Sequence, residues 1–124
     1  MTQNMAIRGA KVADMEPLLA LIRADAKERG QAAEVDANGL WREVFGAQGM
    51  ATLLVAETRG ELTGYAVTEP RLDLFSGQRG VELRYLYVVP GRRTKGVARS
   101  LVAAARAQAC QNGEGWLSLA KAAG

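Results

Sequence analysis

The sequence predicts one α/β domain with the element order β-α-α-β-β-β-α-β, and three stretches carry that prediction. Val81 to Val102 joins an apolar strand to a helix through a basic glycine turn. Ala51 to Glu69 reads as two apolar strands about Arg59-Gly60, and Asp14 to Ile22 combines a cap, a proline and an apolar stripe in the manner of a helix start. The 124 residues suit one domain over residues 1–124, with a real core and little room for a second.

Met5 to Val12 is expected as the first strand, anchored by Ile7 and Val12. Asp14 is a suitable N-cap for the first helix, with Pro17 in the first turn and Leu18, Leu19, Leu21 and Ile22 as the stripe; Gly30 stops it. A second helix is expected over about Glu34 to Phe45, with Val35, Leu40, Trp41, Val44 and Phe45 apolar, Gly39 weakening it and Gly46 and Gly49 ending it. The hairpin follows, Ala51 to Thr58 and Glu61 to Glu69, closed by Pro70. Between Arg71 and Gly80, Leu72, Leu74 and Phe75 are expected to pack beneath a loop.

The core strand then begins. Val81, Leu83 and Tyr85 alternate with Glu82, Arg84 and Leu86, and Leu86 to Val89 continue as an unbroken apolar run, the composition of a strand buried inside a sheet. Pro90 ends it, lacking an N–H and holding Val89 extended. After Gly96 the period changes: Val97, Leu101 and Ala104/Ala105 share a helix face, on which Cys110 is expected to be buried or half-buried. Asn112-Gly113 is a C-cap, and Trp116 to Ala120 a fifth strand.

Composition narrows the chemistry. Hydrophobic residues make up 48% and charged residues 23%, ordinary globular values. No apolar run approaches a membrane span and the N-terminus lacks a signal-peptide layout, so a cytoplasmic location is the expectation. With no histidine and one cysteine, a zinc site and any His-based triad are disfavoured, and no metal is expected. The formal charge of +3 is mildly basic, and its excess gathers at Arg79, Arg84, Arg92, Arg93, Lys95, Arg99 and Arg106. A small nucleic-acid binder is a third-rank reading, because no aromatic-basic surface motif accompanies the charge.

The junction at Gly96 is suited to an anion. The first N–H groups of a helix lack partners and the macrodipole adds about half a positive charge, so a phosphate satisfies both. Gly96 removes the side chain that would hold an anion off, and Arg92, Arg93, Lys95 and Arg99 supply more cations than one phosphate needs, so a pyrophosphate fits better. Neither G-x-x-x-x-G-K-[ST] nor G-x-G-x-x-G occurs. On composition alone, a plain strand-turn-helix crossover with a solvated basic loop explains the segment as well.

Leu86-Tyr87-Val88-Val89-Pro90 followed by Arg93-Thr94-Lys95-Gly96-Val97-Ala98 resembles the signature of the GNAT (GCN5-related) N-acetyltransferases, a strand ending near L-Y-V-x-P and then [RQ]-x-x-G-x-[GA] at a helix mouth. Thr94 departs from the glycine many members carry there. The resemblance implies the GNAT-like acyl-CoA N-acyltransferase fold, with a mixed sheet flanked by helices, and acetyl-CoA as co-substrate. It implies that the core strand bulges and splays from its neighbour, so that backbone groups near Val88, within Tyr87 to Val89, pair with the pantetheine arm as an added strand. The N–H groups of Arg93, Thr94, Lys95, Gly96, Val97 and Ala98 would cradle the pyrophosphate, with Arg99 beside them.

The acceptor implied is a primary amine, which must lose a proton because a lysine-like amine with pKa about 10.4 is mostly protonated at neutral pH. Glu82 stands where some members carry a catalytic glutamate; its alternative is an ion pair with Arg84. Glu57 and Glu69 are weaker candidates, and Tyr85 and Tyr87 are acids or packing residues. The oxyanion would be held by backbone N–H near Val88. The resemblance also places the acceptor wall at about Arg23 to Trp41, where Asp25, Glu28, Glu34 and Asp36 could attract a cation. Family members continue through a further helix and two strands, often with a tyrosine acid. A minimal member, a truncated product, or a homodimer completing its sheet through the strand near Trp116 would each account for the difference, the homodimer being the expectation. A non-catalytic acyl-CoA-binding module of the same fold is the alternative function.

Overall fold

The computed structural model describes residues 5–47, 49, 51–113, 115 and 117–119. Strand β1 (Met5–Gly9) leads to helices α1 (Met15–Glu28) and α2 (Ala37–Phe45), then strands β2 (Thr52–Thr58), β3 (Glu61–Leu72) and β4 (Arg79–Val88), helix α3 (Val97–Gln111) and strand β5 (Leu117–Leu119). The sheet runs β1-β2-β3-β4-β5, antiparallel through β4 and parallel between β4 and β5, so it is mixed, and the predicted order holds throughout.

Both faces of the sheet are covered, which explains why β2 reads as a continuous apolar run rather than an alternating one. Leu53 and Val55 meet Met15, Leu18 and Leu19 of α1 and Leu40 of α2. Leu54 and Ala56 meet Val97, Leu101 and Ala105 of α3 on the other face.

Several boundaries differ from the sequence expectation, each for a local reason. Strand β1 ends at Gly9, and Val12 is 62% exposed at the start of a 3-10 turn, not an apolar anchor. Asp14 makes that turn: its Oδ2 accepts from the Lys11 N–H at 2.6 Å and from Arg8 at 2.7 Å, so the carboxylate looks back to β1 and does not cap α1. The cap used is Asp36, whose Oδ1 accepts from Gly39 N–H at 2.7 Å. Helix α2 therefore starts at Ala37, not Glu34, and the glycine that weakens the helix leaves space beside its cap. Trp41 and Phe45 stay partly exposed, stacked on each other with ring centroids 6.2 Å apart.

Strand β3 passes through Pro70 to Leu72 instead of closing there. Its pairing with β2 ends at Thr68 opposite Thr52, so Pro70 lies where one flank has no ladder to break. Arg71 to Gly80 accordingly belongs to a β3-β4 hairpin. Its tip is held by Asp73, which accepts from the Phe75 N–H and the Ser76 hydroxyl, and Leu72, Leu74 and Phe75 point outward, Phe75 being 99% exposed. On α3 the buried stripe is Val97, Leu101, Ala105 and Ala109; Cys110, one residue further round, is exposed rather than buried. Asn112 and Gly113 (φ +74) end α3 as expected. Of the predicted fifth strand, Leu117–Leu119 pairs with β4, while Trp116 and Ala120 lie outside the described residues.

The alternation predicted for β4 breaks. Val67 pairs with Tyr85 but Thr68 pairs with Leu83, so Arg84 is an extra residue. The slip leaves Leu83 on the α3 face and turns Tyr85 and Tyr87 toward α1 and α2. Past the bulge the strands close tightly. A Cβ at Gly64 would stand 2.7 Å from the Tyr87 carbonyl oxygen and 3.3 Å from Leu101 Cδ1.

Two outcomes follow. Gly64→Ala is expected to destabilise the fold by about 1–3 kcal/mol through forced separation of β3 from β4, read as a lower denaturant midpoint at unchanged slope. The Asp14 carboxyl is held below its ordinary range chiefly by the Arg8 hydrogen bonds. Its contribution is therefore complete above the unfolded value near about 4 and lost as pH falls through the lower folded value. Asp14→Asn should cost about 2 kcal/mol at neutral pH and flatten the acid limb of a stability-against-pH curve.

Candidate active site

Strand β4 is bonded along one edge only for part of its length. Its described pairing with β5 covers Val81 to Leu83. From the bulge onward, no described strand lies on that side. The Val89 N–H donates to the Thr63 carbonyl at 2.9 Å across the Val88–Gly64 pair, so Val88 is a non-hydrogen-bonded position whose own N–H and C=O face the open edge.

The chain then turns at a 3-10 segment, Pro90–Arg92, and Gly96 caps α3 in the left-handed region (φ +80). Only glycine adopts that conformation without strain, which is why the residue stands there. Gly96 accepts from Ser100 N–H through its carbonyl, and space is open within 4 Å of where a Cβ would be. Arg93 to Gly96 are exposed, and among the described residues Lys95 and Arg99 have no ion-pair partner. A helix mouth with free N–H groups, cationic side chains and a bare glycine fits a pyrophosphate.

Arg93 is placed differently from its neighbours. Its Nε donates to the Val88 carbonyl at 2.8 Å, its guanidinium lies 5.5 Å from the Tyr87 ring centroid, and Nη2 donates to Glu28 Oε1 at 2.6 Å. The Val88 carbonyl, expected to be free for the pantetheine arm, is thus occupied by Arg93. Glu28 Oε2 accepts from the Tyr87 hydroxyl at 2.8 Å. The Arg93 hydrogen bond, then that of Tyr87, holds the Glu28 carboxyl below its usual range. Burial, then the bond to Glu28, pushes the Tyr87 phenol up.

A parallel set lies beside it. Asp25, 5% exposed, accepts from the Tyr65 hydroxyl at 2.5 Å and from Arg29 Nε at 2.7 Å. Burial, then Asp25, raises the Tyr65 phenol well above the ordinary tyrosine value. The Tyr65 and Tyr87 rings stand 5.7 Å apart, joining the two sets. The sequence singled out Asp25 and Glu28 as possible cation attractors on an exposed face. Instead each binds a tyrosine and an arginine. Tyr65 was missed because only the packing of α1 on β3 brings it to Asp25; Arg29 was missed although its i, i+4 spacing from Asp25 is a local signal. Asp36 is spent as the α2 cap, and Glu34 is exposed.

Glu82 lies 3.5 Å from both Arg84 and Arg71, with its side chain 16% exposed. The ion pair weighed as its alternative role is present, with a second arginine added from β3. Glu69 pairs with Arg84 at 3.7 Å and Glu57 with Arg8 at 3.1 Å. Among the described residues no group of three or more His, Cys, Asp or Glu is set to hold a metal, and no helix is long and apolar enough to cross a membrane.

A cavity of about 430 Å³ opens under the α1-α2 connection, reaching from Leu40 and Val44 to Tyr65 and Val67, with Tyr85 at the β4 side.

The model of the acetyltransferase (GNAT) domain matches residues 49–123, the stretch holding β2 to β5 and the basic turn. The chain belongs to the GNAT acetyltransferases. A curated relative, an uncharacterized N-acetyltransferase (YhfO) of Bacillus subtilis (strain 168), is 31% identical over 115 residues, 93% of this chain and 77% of its own. Among solved structures, a ribosomal-protein-alanine N-acetyltransferase from Brucella melitensis biovar Abortus 2308 is 20% identical with a TM-score of 0.75, over 93% of this chain and 79% of that one. The aminoglycoside N-acetyltransferase AAC(6')-Iy, solved with CoA, is 22% identical with a TM-score of 0.78, over 99% and 80%. At those identities the structures share the GNAT fold with this chain.

Glu28→Gln is expected to bring the Tyr87 phenol down toward the ordinary value of 10.0 while leaving Tyr65 high, followed by ring-carbon NMR through an alkaline titration. An unmoved Tyr87 would mean that burial alone sets it.

Proposed function

We propose that this GNAT member is an acetyl-CoA-dependent N-acetyltransferase that moves an acetyl group directly to a primary amine. The observation that carries the reading is the continuity of the open β4 edge with the glycine-capped helix mouth. One extended ligand with a pyrophosphate at one end would lie against both. The N–H groups of Thr94, Gly96, Val97 and Ala98 would hold the pyrophosphate, with Lys95 and Arg99 adding charge; the Arg93 and Lys95 N–H groups, also expected in the cradle, donate to the Pro90 and Arg92 carbonyls. Val88 would pair with the pantetheine amides through its N–H and through the carbonyl that also accepts from Arg93.

Acetyl-CoA supplies an acetyl group activated as a thioester. The protein's part is to place it, keep it from water and accept a proton. In the transfer a C–N bond forms as the C–S bond breaks, the thiolate leaves, and the ammonium proton passes to a base. Backbone N–H groups on the open β4 edge would stabilise negative charge on the carbonyl oxygen. Glu82, flanked by Arg71 and Arg84, is the base in this reading, directly or through water. The same pairing favours a second reading, a non-catalytic acyl-CoA-binding module, because it gives Glu82 a structural role that requires no acceptor.

Calorimetric titration with acetyl-CoA, followed by thiol release in the presence of amines, separates these readings. Wild-type protein should bind in the micromolar range. Gly96→Ala should weaken binding severalfold by straining the turn, and Gly96→Asp by at least tenfold more through anion repulsion. Binding with thiol release supports the transferase, binding without it supports the module, and no binding by folded protein sinks both.

A further inference from the structure

We infer that the cavity beneath the α1-α2 connection, where the family resemblance already places the acceptor wall, selects an apolar monoamine, an amine on a body of one or two rings or an equivalent alkyl group, over polycations. This rests on the transferase reading for the reaction, but the ligand class is argued from the cavity itself.

Position comes first. Tyr85 forms the β4 side of the cavity and is the residue immediately after the bulge, where the open edge begins. A ligand in the cavity therefore ends beside that edge, on the face of the sheet opposite α3. Its amine would meet the edge and its body would extend away beneath the helices.

The walls decide what the body is. Ile22, Leu40, Val44, Leu53 and Val67 supply apolar surface from two helices and two strands, and Ala33 on the connection adds no bulk. About 430 Å³ falls within the range of small-molecule pockets, roughly 300–1,000 Å³. It is nearly three times the ~150 Å³ that accommodates benzene.

Charge decides how many amines it takes. Asp25, Arg29 and Glu43 are the ionisable carboxylate and guanidinium groups on the lining, and Asp25 is already bound to Arg29 and Tyr65. Among the described lining residues, Glu43 is the carboxylate left to complement a cation. A polyamine or aminoglycoside would bring several charges into an apolar space offering one carboxylate, and each unmatched charge would be desolvated at a cost. An apolar monoamine leaves none.

The test uses 2-phenylethylamine and spermidine as probes with the intact chain. Methyl NMR with 2-phenylethylamine should shift Val44, Leu53 and Val67, and acetyl-CoA-dependent thiol release should favour 2-phenylethylamine over spermidine at least tenfold in kcat/KM. Ala33→Trp fills the cavity from the exposed connection without touching a helix core. It should raise the 2-phenylethylamine KM or Kd at least tenfold and leave acetyl-CoA binding unchanged. Preference for spermidine, or unmoved cavity methyl groups, would overturn the proposal. If the methyl groups shift and Ala33→Trp abolishes the shift, but no amine releases thiol, the pocket and its ligand class stand and the transferase reading fails.

Discussion

Strand β4 has to do two incompatible things with one backbone: bond to β3 along its whole length and, among the described residues, leave its other edge open for half of it. The extra residue at Arg84 reconciles them. Before the bulge, β4 is an interior strand between β3 and β5. After it, the same strand presents Leu86 and Val88 to α3, Tyr85 and Tyr87 to the opposite face, and the polar groups of Val88 to the edge. Gly64 lets β3 follow closely at that point. Pro90 then stops the ladder, and the turn to Gly96 delivers the positive end of α3 to where the open edge stops. The candidate site is the meeting of these two backbone features, so its location depends little on side chains.

Side chains decide how the site is held. Two tyrosines stack across β3 and β4, and each gives its hydroxyl to an acid on α1. Asp25 and Glu28 sit one turn apart on the same face of that helix, so a single element fixes both rings. Glu28 also reaches Arg93, tying α1 to the loop after β4. Any ligand that pairs with the Val88 carbonyl either shares that oxygen with the Arg93 Nε or displaces it. Helix α1 and the loop before α3 thereby share one ionic contact.

Glu82 shows how one residue can satisfy a structural and a chemical description together. Two arginines flank it, and its Oε1 is buried without a hydrogen bond within its ion pairs. The carboxylate bridges Arg71 of β3 and Arg84 of β4, a structural role that the proposed base would keep. Arg71 arrives only because β3 continues past Pro70, a continuation that no local rule favours.

The sequence by itself determined the element order, the end of the core strand at Pro90, the glycine at the mouth of α3 and the two-face burial of the sheet. These depend on near neighbours: a missing N–H, a left-handed dihedral and the period of apolar residues are local properties. Only the tertiary structure decided the rest. The family resemblance implied a bulge in the core strand, but its place is a relation between Thr68, Leu83 and Arg84 on two strands, which the alternation of β4 alone could not locate. Asp14 and Asp36 are equally good caps in one dimension. Arg8, brought alongside by β1, took Asp14 away from α1, while Asp36 kept its helix. Asp25 and Glu28 looked like solvated charges because their tyrosines lie 40 and 59 residues further along the chain. Phe75 and Cys110 went to the surface for the complementary reason, since apolar character favours burial but only the packing of neighbours provides a place for it.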